Sequence, residues 1–154
     1  MKEAPAPSTT RGRALYLFIA IAFLSLIGLA DAIYLTVEKL TGGIVQCGIS
    51  NCEEVLSSSY ATIAGIPLAA FGALAYFTVF SLATLAAFGY EGARSILLYV
   101  VTLMLAFSIW LFILQAFVIH AFCQFCLLSA GVTLLLSALV ALDRFYFKRK
   151  YAYR

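Results

Sequence analysis

The chain has 154 residues, of which 64% are apolar and only 11% are charged, and its mean hydropathy is +1.04. This composition excludes an ordinary soluble domain and a disordered chain, and it predicts a membrane protein. The net charge of +3 calls for no nucleic-acid partner, because basic residues beside membrane spans contact anionic membrane lipid instead.

Uncharged runs, taken in chain order, predict four membrane spans, since about 20 apolar residues cross about 30 Å of hydrocarbon. No residue from Ser95 to Leu142 is formally charged. About 48 residues of helix would be roughly 72 Å long, so this run must fold back once, near His120 to Phe122. The predicted spans are 14–37, 67–89, 95–119 and 123–142, and an outer loop covers 38–62.

The basic residues predict the orientation of these spans, because Lys and Arg near span ends remain in the cytoplasm. With both termini inside, nine of the ten Lys and Arg residues lie on the cytoplasmic side, and only Lys39 lies outside. We therefore expect a plasma-membrane domain over 14–143 with cytoplasmic tails at 1–13 and 144–154. Ala30-Asp31-Ala32 resembles a signal-peptidase site, but the apolar run is longer than such signals usually have.

The first outer loop contains Ser50-Asn51-Cys52-Glu53. In this pattern Ser50 caps a helix and Glu53 reaches back to the first turn, which predicts a short amphipathic helix on the outer membrane surface. The predicted fold class is an all-α membrane protein, a four-transmembrane-helix bundle with this short helix in its first outer loop.

Four cysteines form two close pairs, Cys47 with Cys52 and Cys123 with Cys126, and the predicted topology puts both pairs on the extracytoplasmic side, where disulfides persist. Four cysteines allow three pairings. A purely structural pair of disulfides is one interpretation. A four-cysteine zinc site is another, but apolar surroundings disfavour it and we expect no metal. Redox activity is favoured, because residues three apart on a helix share one face and can meet one partner.

These motifs resemble the vitamin K epoxide reductase homologues of bacteria and archaea. The resemblance covers about 28 to 140 and rests on four segments in order: Cys47-x4-Cys52-Glu-Glu-Val-Leu-Ser-Ser, Gly65-Ile66-Pro67, Phe71-Gly72 and Cys123-x2-Cys126. The DsbB-type disulfide generators also have four spans and two cysteine pairs, but there the CxxC pair lies in the first outer loop.

The resemblance implies a quinone-dependent thiol-disulfide oxidoreductase. A reduced thioredoxin-like partner would meet Cys47, Cys52 would attack Cys123, and Cys126 would lie against a quinone of the ubiquinone or menaquinone type. Because the chain ends soon after Leu142, this DsbA-like partner is expected to be a separate protein. The competing interpretation is a non-enzymatic membrane protein stapled by disulfides.

The resemblance also implies contacts to the quinone from Leu56, Phe71 and Cys126, and from Ser58, for which an ordinary solvated serine is the alternative. Gln115, one of the few amides that could be buried, is a candidate hydrogen-bond donor to the quinone, although a hydrogen bond between helices is the favoured interpretation. Animal members use an Asn and a Tyr where Leu68 and Ala130 stand here, so specific recognition of vitamin K is not expected.

Two further residues can titrate inside or beside the spans. Asp31 is the only acid within a predicted span, and its position near the outer end favours a solvated interfacial acid over a role in proton delivery. His120 is similarly expected to be a neutral interfacial side chain rather than a proton relay.

Overall fold

The computed structural model describes the backbone of residues 8–43 and 52–151. Cys47 and the first two residues of the predicted capping box, Ser50 and Asn51, lie outside this part of the chain. The described helices are α1 (Ser8–Thr41), α2 (Cys52–Ser57), α3 (Leu68–Ala87), α4 (Glu91–Ile113) and α5 (Gln124–Tyr151). A 3-10 turn covers Ser59–Ala61, strands β1 (Thr62–Ile63) and β2 (Ile66–Pro67) follow it, and a π-helical segment, Leu114–Ile119, extends α4.

Four helices in the described part of the chain are long and apolar enough to cross a membrane: Ala14–Thr41, Leu68–Ala87, Glu91–Ile119 and Gln124–Phe145. They form a ring, in which α1 and α4 each contact both α3 and α5. Large apolar side chains cover the outside of this ring, as a lipid-facing surface requires. The predicted fold class, a bundle of four membrane-spanning helices with a short helix after the first, is confirmed.

Two of the long helices end in the same way, at a glycine with a left-handed backbone. Gly42 has φ +69° and Gly89 has φ +96°. After α1 the Gly43 N–H donates to Glu38 O at 3.0 Å, and after α3 the Tyr90 N–H donates to Leu85 O at 3.2 Å. These bonds form Schellman motifs, which satisfy carbonyl groups at the helix ends and turn the chain.

A small β-hairpin leads into α3, and the sequence analysis did not predict it. Thr62 pairs with Pro67 and Ile63 with Ile66, and both turn residues, Ala64 and Gly65, have positive φ. The pairing keeps Pro67 extended, with ψ 133°, so that it is the N-cap of α3. The helix of the span predicted to begin at residue 67 therefore begins one residue later, at Leu68.

The uncharged run between α4 and α5 reverses at residues 120–123, which are not helical. His120 has a left-handed backbone, with φ 54°, and this conformation ends the preceding π-helical turn. At the opposite end of the bundle α4 begins at Glu91 rather than at Ser95, because charged side chains at the end of a span can extend to the interface. Arg94 lies over the Phe18 ring, 4.9 Å from its centroid.

Tyr76, on α3, connects three helices in the middle of the bundle. Its side chain is fully buried among α1, α3 and α5. The hydroxyl lies 2.9 Å from Ser129 O, 2.8 Å from Ser129 Oγ and 3.0 Å from Thr133 Oγ1. The ring packs directly on Gly28 of α1, where a built Cβ would lie 2.5 Å from Tyr76 Cζ. The close approach of α1 and α3 therefore requires a residue without a side chain at this position.

We expect Gly28→Ala to destabilise the protein by about 1–3 kcal/mol, the usual cost of overpacking a core, because the hydroxyl bonds prevent the Tyr76 ring from moving away. Gly131→Ala is the matched control, since nothing lies within 4 Å of a Cβ built there. Thermal unfolding in detergent measures both. Equal melting temperatures for the two variants would contradict this account of the helix contact.

Candidate redox site

Three described cysteines come together at one end of the bundle. Cys52 begins α2, which follows α1, while Cys123 and Cys126 lie at the turn from α4 to α5. Because successive long helices run in opposite directions, both connections lie at the same end. Cys52 and Cys123 are both buried in one apolar cluster with Leu35, Val55 and Ala121. The structure thus brings the loop cysteine beside the first cysteine of the CxxC motif.

The two cysteines of the CxxC motif differ in their surroundings. Cys52 is disulfide-bonded, whereas Cys123 and Cys126 are thiols. Cys123 is fully buried in the cluster that contains Cys52, while half-buried Cys126 packs at the edge of that cluster and lines a large cavity inside the bundle. One thiol of the motif therefore adjoins the loop and the other faces the cavity.

Cys123 occupies the N-cap position of α5. Its carbonyl accepts the first helical hydrogen bond, from Leu127 N–H at 3.0 Å, and its sulfur accepts from Cys126 N–H at 3.4 Å. The Cys126 side chain also donates to this sulfur. That bond, together with the backbone N–H groups of Phe125 and Cys126, lowers the Cys123 pKa from 9.0 to about 7 against the opposing effect of burial. A helix N-terminus stabilises a thiolate for the same reason that it binds anions.

Three contacts fix the turn that carries the CxxC motif. The buried Gln115 carboxamide accepts a hydrogen bond from Cys123 N–H at 3.0 Å. The rings of Tyr34 and Phe125 lie 5.3 Å apart, and those of Phe112 and Phe122 lie 6.1 Å apart. Gln115 is in the π-helical segment, whose wider turn is a common feature of functional sites. Position 123 is thereby held from both α1 and α4.

The short helix α2 lies over the same end of the bundle and is tied to it. Lys39 Nζ, on α1, donates to Leu56 O at 2.6 Å. Ser58 Oγ donates to Val55 O at 2.7 Å, which closes the last turn of α2. Val55 and Leu56 place their side chains against the buried cysteines, so α2 separates the sulfurs from the outside.

The cavity beneath α2 has a volume of about 450 Å³, within the range of about 300–1,000 Å³ that is typical of small-molecule sites. Most of its lining is apolar. All five residues that the sequence analysis offered as quinone contacts line it: Leu56, Ser58, Phe71, Gln115 and Cys126. Among the side chains that the structure describes, no three of His, Cys, Asp or Glu are grouped so that they could hold a metal ion.

The polar groups of the cavity include some that the sequence analysis missed. Leu68 and Ala130, at which the sequence analysis expected no donor to the quinone, line the cavity and are apolar. Tyr76, Ser129 and Thr133 line it as well and bond to one another. The spacing of Cys126, Ser129 and Thr133 puts them on one face of α5, and this pattern could have predicted that the two hydroxyl side chains accompany the thiol.

Asp31 is not the solvated interfacial acid that the sequence analysis favoured. Both carboxyl oxygens are buried and have no hydrogen-bond partner, and the side chain lines the cavity. The expectation was wrong because distance along α1 says nothing about the side of the helix that an acid occupies. His120, in contrast, is exposed and is not part of the cavity lining.

Comparison with known protein families identifies the family of this chain. The family model described as the vitamin K epoxide reductase family matches residues 19–141. The chain belongs to the vitamin K epoxide reductase family. This membership makes it a multi-pass membrane protein with oxidoreductase activity towards disulfides, and the matched region contains both cysteine pairs, all of α2 and the cavity.

The hydrogen bond between the two thiols predicts a pH dependence that can be measured. In protein that retains only Cys123 and Cys126, thiolate ultraviolet absorbance should appear as the pH rises through about 7. Below that pH, Cys123 is a thiol and a poor nucleophile. Cys126→Ala removes the donating side chain and should move the midpoint upwards, towards the ordinary value, whereas Cys126→Ser keeps a donor and should move it less.

A midpoint that is unchanged in Cys126→Ala would contradict this origin of the Cys123 pKa. The absorbance measurement needs no reagent to reach the sulfur, so the burial of Cys123 does not affect the comparison.

Proposed function

We propose that this protein takes electrons from thiols outside the membrane and passes them through its two cysteine pairs to a quinone in the cavity. One observation carries the proposal: Cys123 is buried in the same cluster as Cys52, whereas Cys126 lines the cavity. Electrons that enter at the loop pair would reach Cys123 first, and they would leave from Cys126.

The first transfer is thiol-disulfide exchange between the pairs. We infer that Cys47 is the disulfide partner of Cys52, because the other two cysteines are thiols. Once an external thiol reduces this bond, the Cys52 thiolate attacks Cys123 in an oxidised Cys123–Cys126 bond, and Cys126 leaves. Cys47 then attacks Cys52, re-forms the loop disulfide and releases Cys123. Two electrons have moved, and the product is the state in the structure: a disulfide at Cys52 and thiols at Cys123 and Cys126.

The low pKa of Cys123 suits this exchange. A sulfur that is stable as a thiolate is a good leaving group, so Cys123 is readily released when Cys47 attacks Cys52. Its contacts with Cys126 and with the N-terminus of α5 are present in the described product. The reaction is thereby favoured in the direction that leaves the loop pair oxidised and the CxxC pair reduced.

The cavity has the size, composition and position that a quinone ring requires. A bound quinone would accept two electrons and two protons from the dithiol and become a hydroquinone. Leu56 and Phe71 would pack on the ring, Cys126 would contact it, and Ser58 and Gln115 lie where polar groups could meet its oxygens. Because Leu68 and Ala130 supply no donor, we propose a ubiquinone or menaquinone type of quinone, held mostly by packing.

We further propose that the cysteine end of the bundle faces the extracytoplasmic side of the plasma membrane. The opposite end carries Arg94 and Arg144, together with the first turns of α1 and the last turns of α5, and Lys and Arg mark the cytoplasmic side. The external thiol would belong to a separate thioredoxin-like protein of the DsbA type, which would meet Cys47.

The proposed electron path can be tested with purified protein, a dithiol and a water-soluble quinone analogue. The wild type should form hydroquinone, and Cys126→Ala should reduce the rate to background, because the sulfur that faces the cavity is absent. Ser137→Ala is a suitable control, since Ser137 also lies on α5 but is not part of the cavity lining. Full activity in Cys126→Ala would refute the path, and an inactive wild type would favour disulfides with only a structural role.

A further inference from the structure

The two carboxyl oxygens of Asp31 are buried and make no hydrogen bond. Among the described residues, these two are the only buried side-chain oxygen or nitrogen atoms without a hydrogen-bond partner. An ionised carboxylate without a partner is very costly in apolar surroundings, whereas a neutral carboxylic acid is tolerated there. A buried acid of this kind within a membrane span marks a functional position by default.

None of the polar side chains that line the cavity with Asp31 makes a hydrogen bond to it. The Tyr76 hydroxyl is engaged with Ser129 and Thr133, and Lys39 Nζ donates to Leu56 O. Gln115 Oε1 accepts from Cys123 N–H. A partner for Asp31 must therefore come from whatever occupies the cavity.

Asp31 shares this cavity with the thiol that would deliver electrons. Its side chain and that of Cys126 both line it, and the Asp31 carboxyl is near enough to interact electrostatically with Cys123 and Cys126. Leu35, one helical turn further along α1, belongs to the buried cluster around Cys52 and Cys123. The acid is thus held on the same side of α1 as the sulfurs.

We propose that Asp31, as a neutral acid, donates a hydrogen bond to one carbonyl oxygen of the quinone and then gives that oxygen its proton. This inference rests on the proposed function and assigns it a catalytic acid. It differs from the animal pattern of an Asn and a Tyr, because the donor here comes from the first span.

The two thiols supply both protons that this step requires. As the Cys123–Cys126 bond forms, the two thiols lose two electrons and two protons. Asp31 gives its own proton to one ring oxygen and regains one of the two thiol protons, while the other thiol proton goes to the second ring oxygen. Asp31 ends the turnover as the neutral acid, and both protons of the hydroquinone derive in net terms from the dithiol.

Two substitutions distinguish the hydrogen bond that Asp31 donates to the quinone from the transfer of its proton. Asp31→Asn keeps a donor of similar shape but has no proton to transfer, so we expect the dissociation constant of a quinone analogue to stay within about threefold. The turnover number should fall about 100-fold or more, the usual contribution of a general acid. Asp31→Leu removes the donor too and should also weaken binding, by about tenfold for one hydrogen bond.

Infrared difference spectroscopy gives a readout that does not depend on turnover. Binding of the quinone analogue should shift the carbonyl stretch of a protonated carboxylic acid, and this signal should be absent from Asp31→Asn. Asp143→Asn is the matched control, because Asp143 is a partly buried acid of α5 that does not line the cavity. It should keep the infrared signal and the turnover of the wild type.

Wild-type turnover in Asp31→Asn, or a carboxylic acid signal that survives in it, would overturn the assignment of Asp31. Unweakened binding in Asp31→Leu would do the same. These results are distinct from failure of the proposed function, in which the wild type itself would form no hydroquinone.

Discussion

The hydrogen bond from Cys123 N–H to the Gln115 carboxamide is the contact on which the site depends. The chain must reverse between α4 and α5 in an apolar environment, where an unpaired backbone N–H is costly. Gln115 satisfies that N–H at 3.0 Å and is itself buried. The bond fixes the start of α5, and hence the position of Cys123 against α2 and of Cys126 against the cavity.

The same helix start gives the two sulfurs different chemistry. At the N-cap, Cys123 receives hydrogen bonds from Cys126, which lower its pKa to about 7. Cys126, one turn later, faces the cavity instead. Two cysteines three residues apart would be equivalent on a uniform helix, so the direction of electron flow that we propose depends on where the helix begins. The ring contacts of Phe122 and Phe125 hold that start in place.

Much of the fold follows from the sequence by simple arguments. Uncharged runs and the thickness of a bilayer predict four spans, and excess length alone predicts a reversal in the last run. Local chemistry could also predict the glycine-ended helices. The β-hairpin was missed because two-residue strands have no periodicity to detect, and the position of Pro67 depends on its pairing with Thr62.

The site was harder to predict, since membrane helices that are apolar on all sides do not show which side faces the bundle. Asp31 was therefore placed in solvent, although its carboxyl is buried at the cavity. Gln115 was recognised as an unusual buried amide, but its bond to Cys123 joins elements that the sequence does not align. The sequence did not single out Tyr76, because its partners Ser129 and Thr133 are brought to it only by the packing of the bundle.

The central claim is that Cys52 and Cys123 are positioned to exchange. It is tested most directly in a Cys47→Ser and Cys126→Ser double variant, in which these two cysteines alone remain. Mild oxidation in the membrane should join Cys52 to Cys123 within one chain, as peptide mass spectrometry without reductant would show. If both thiols stay free, or if they link only between chains, the account of the site is contradicted.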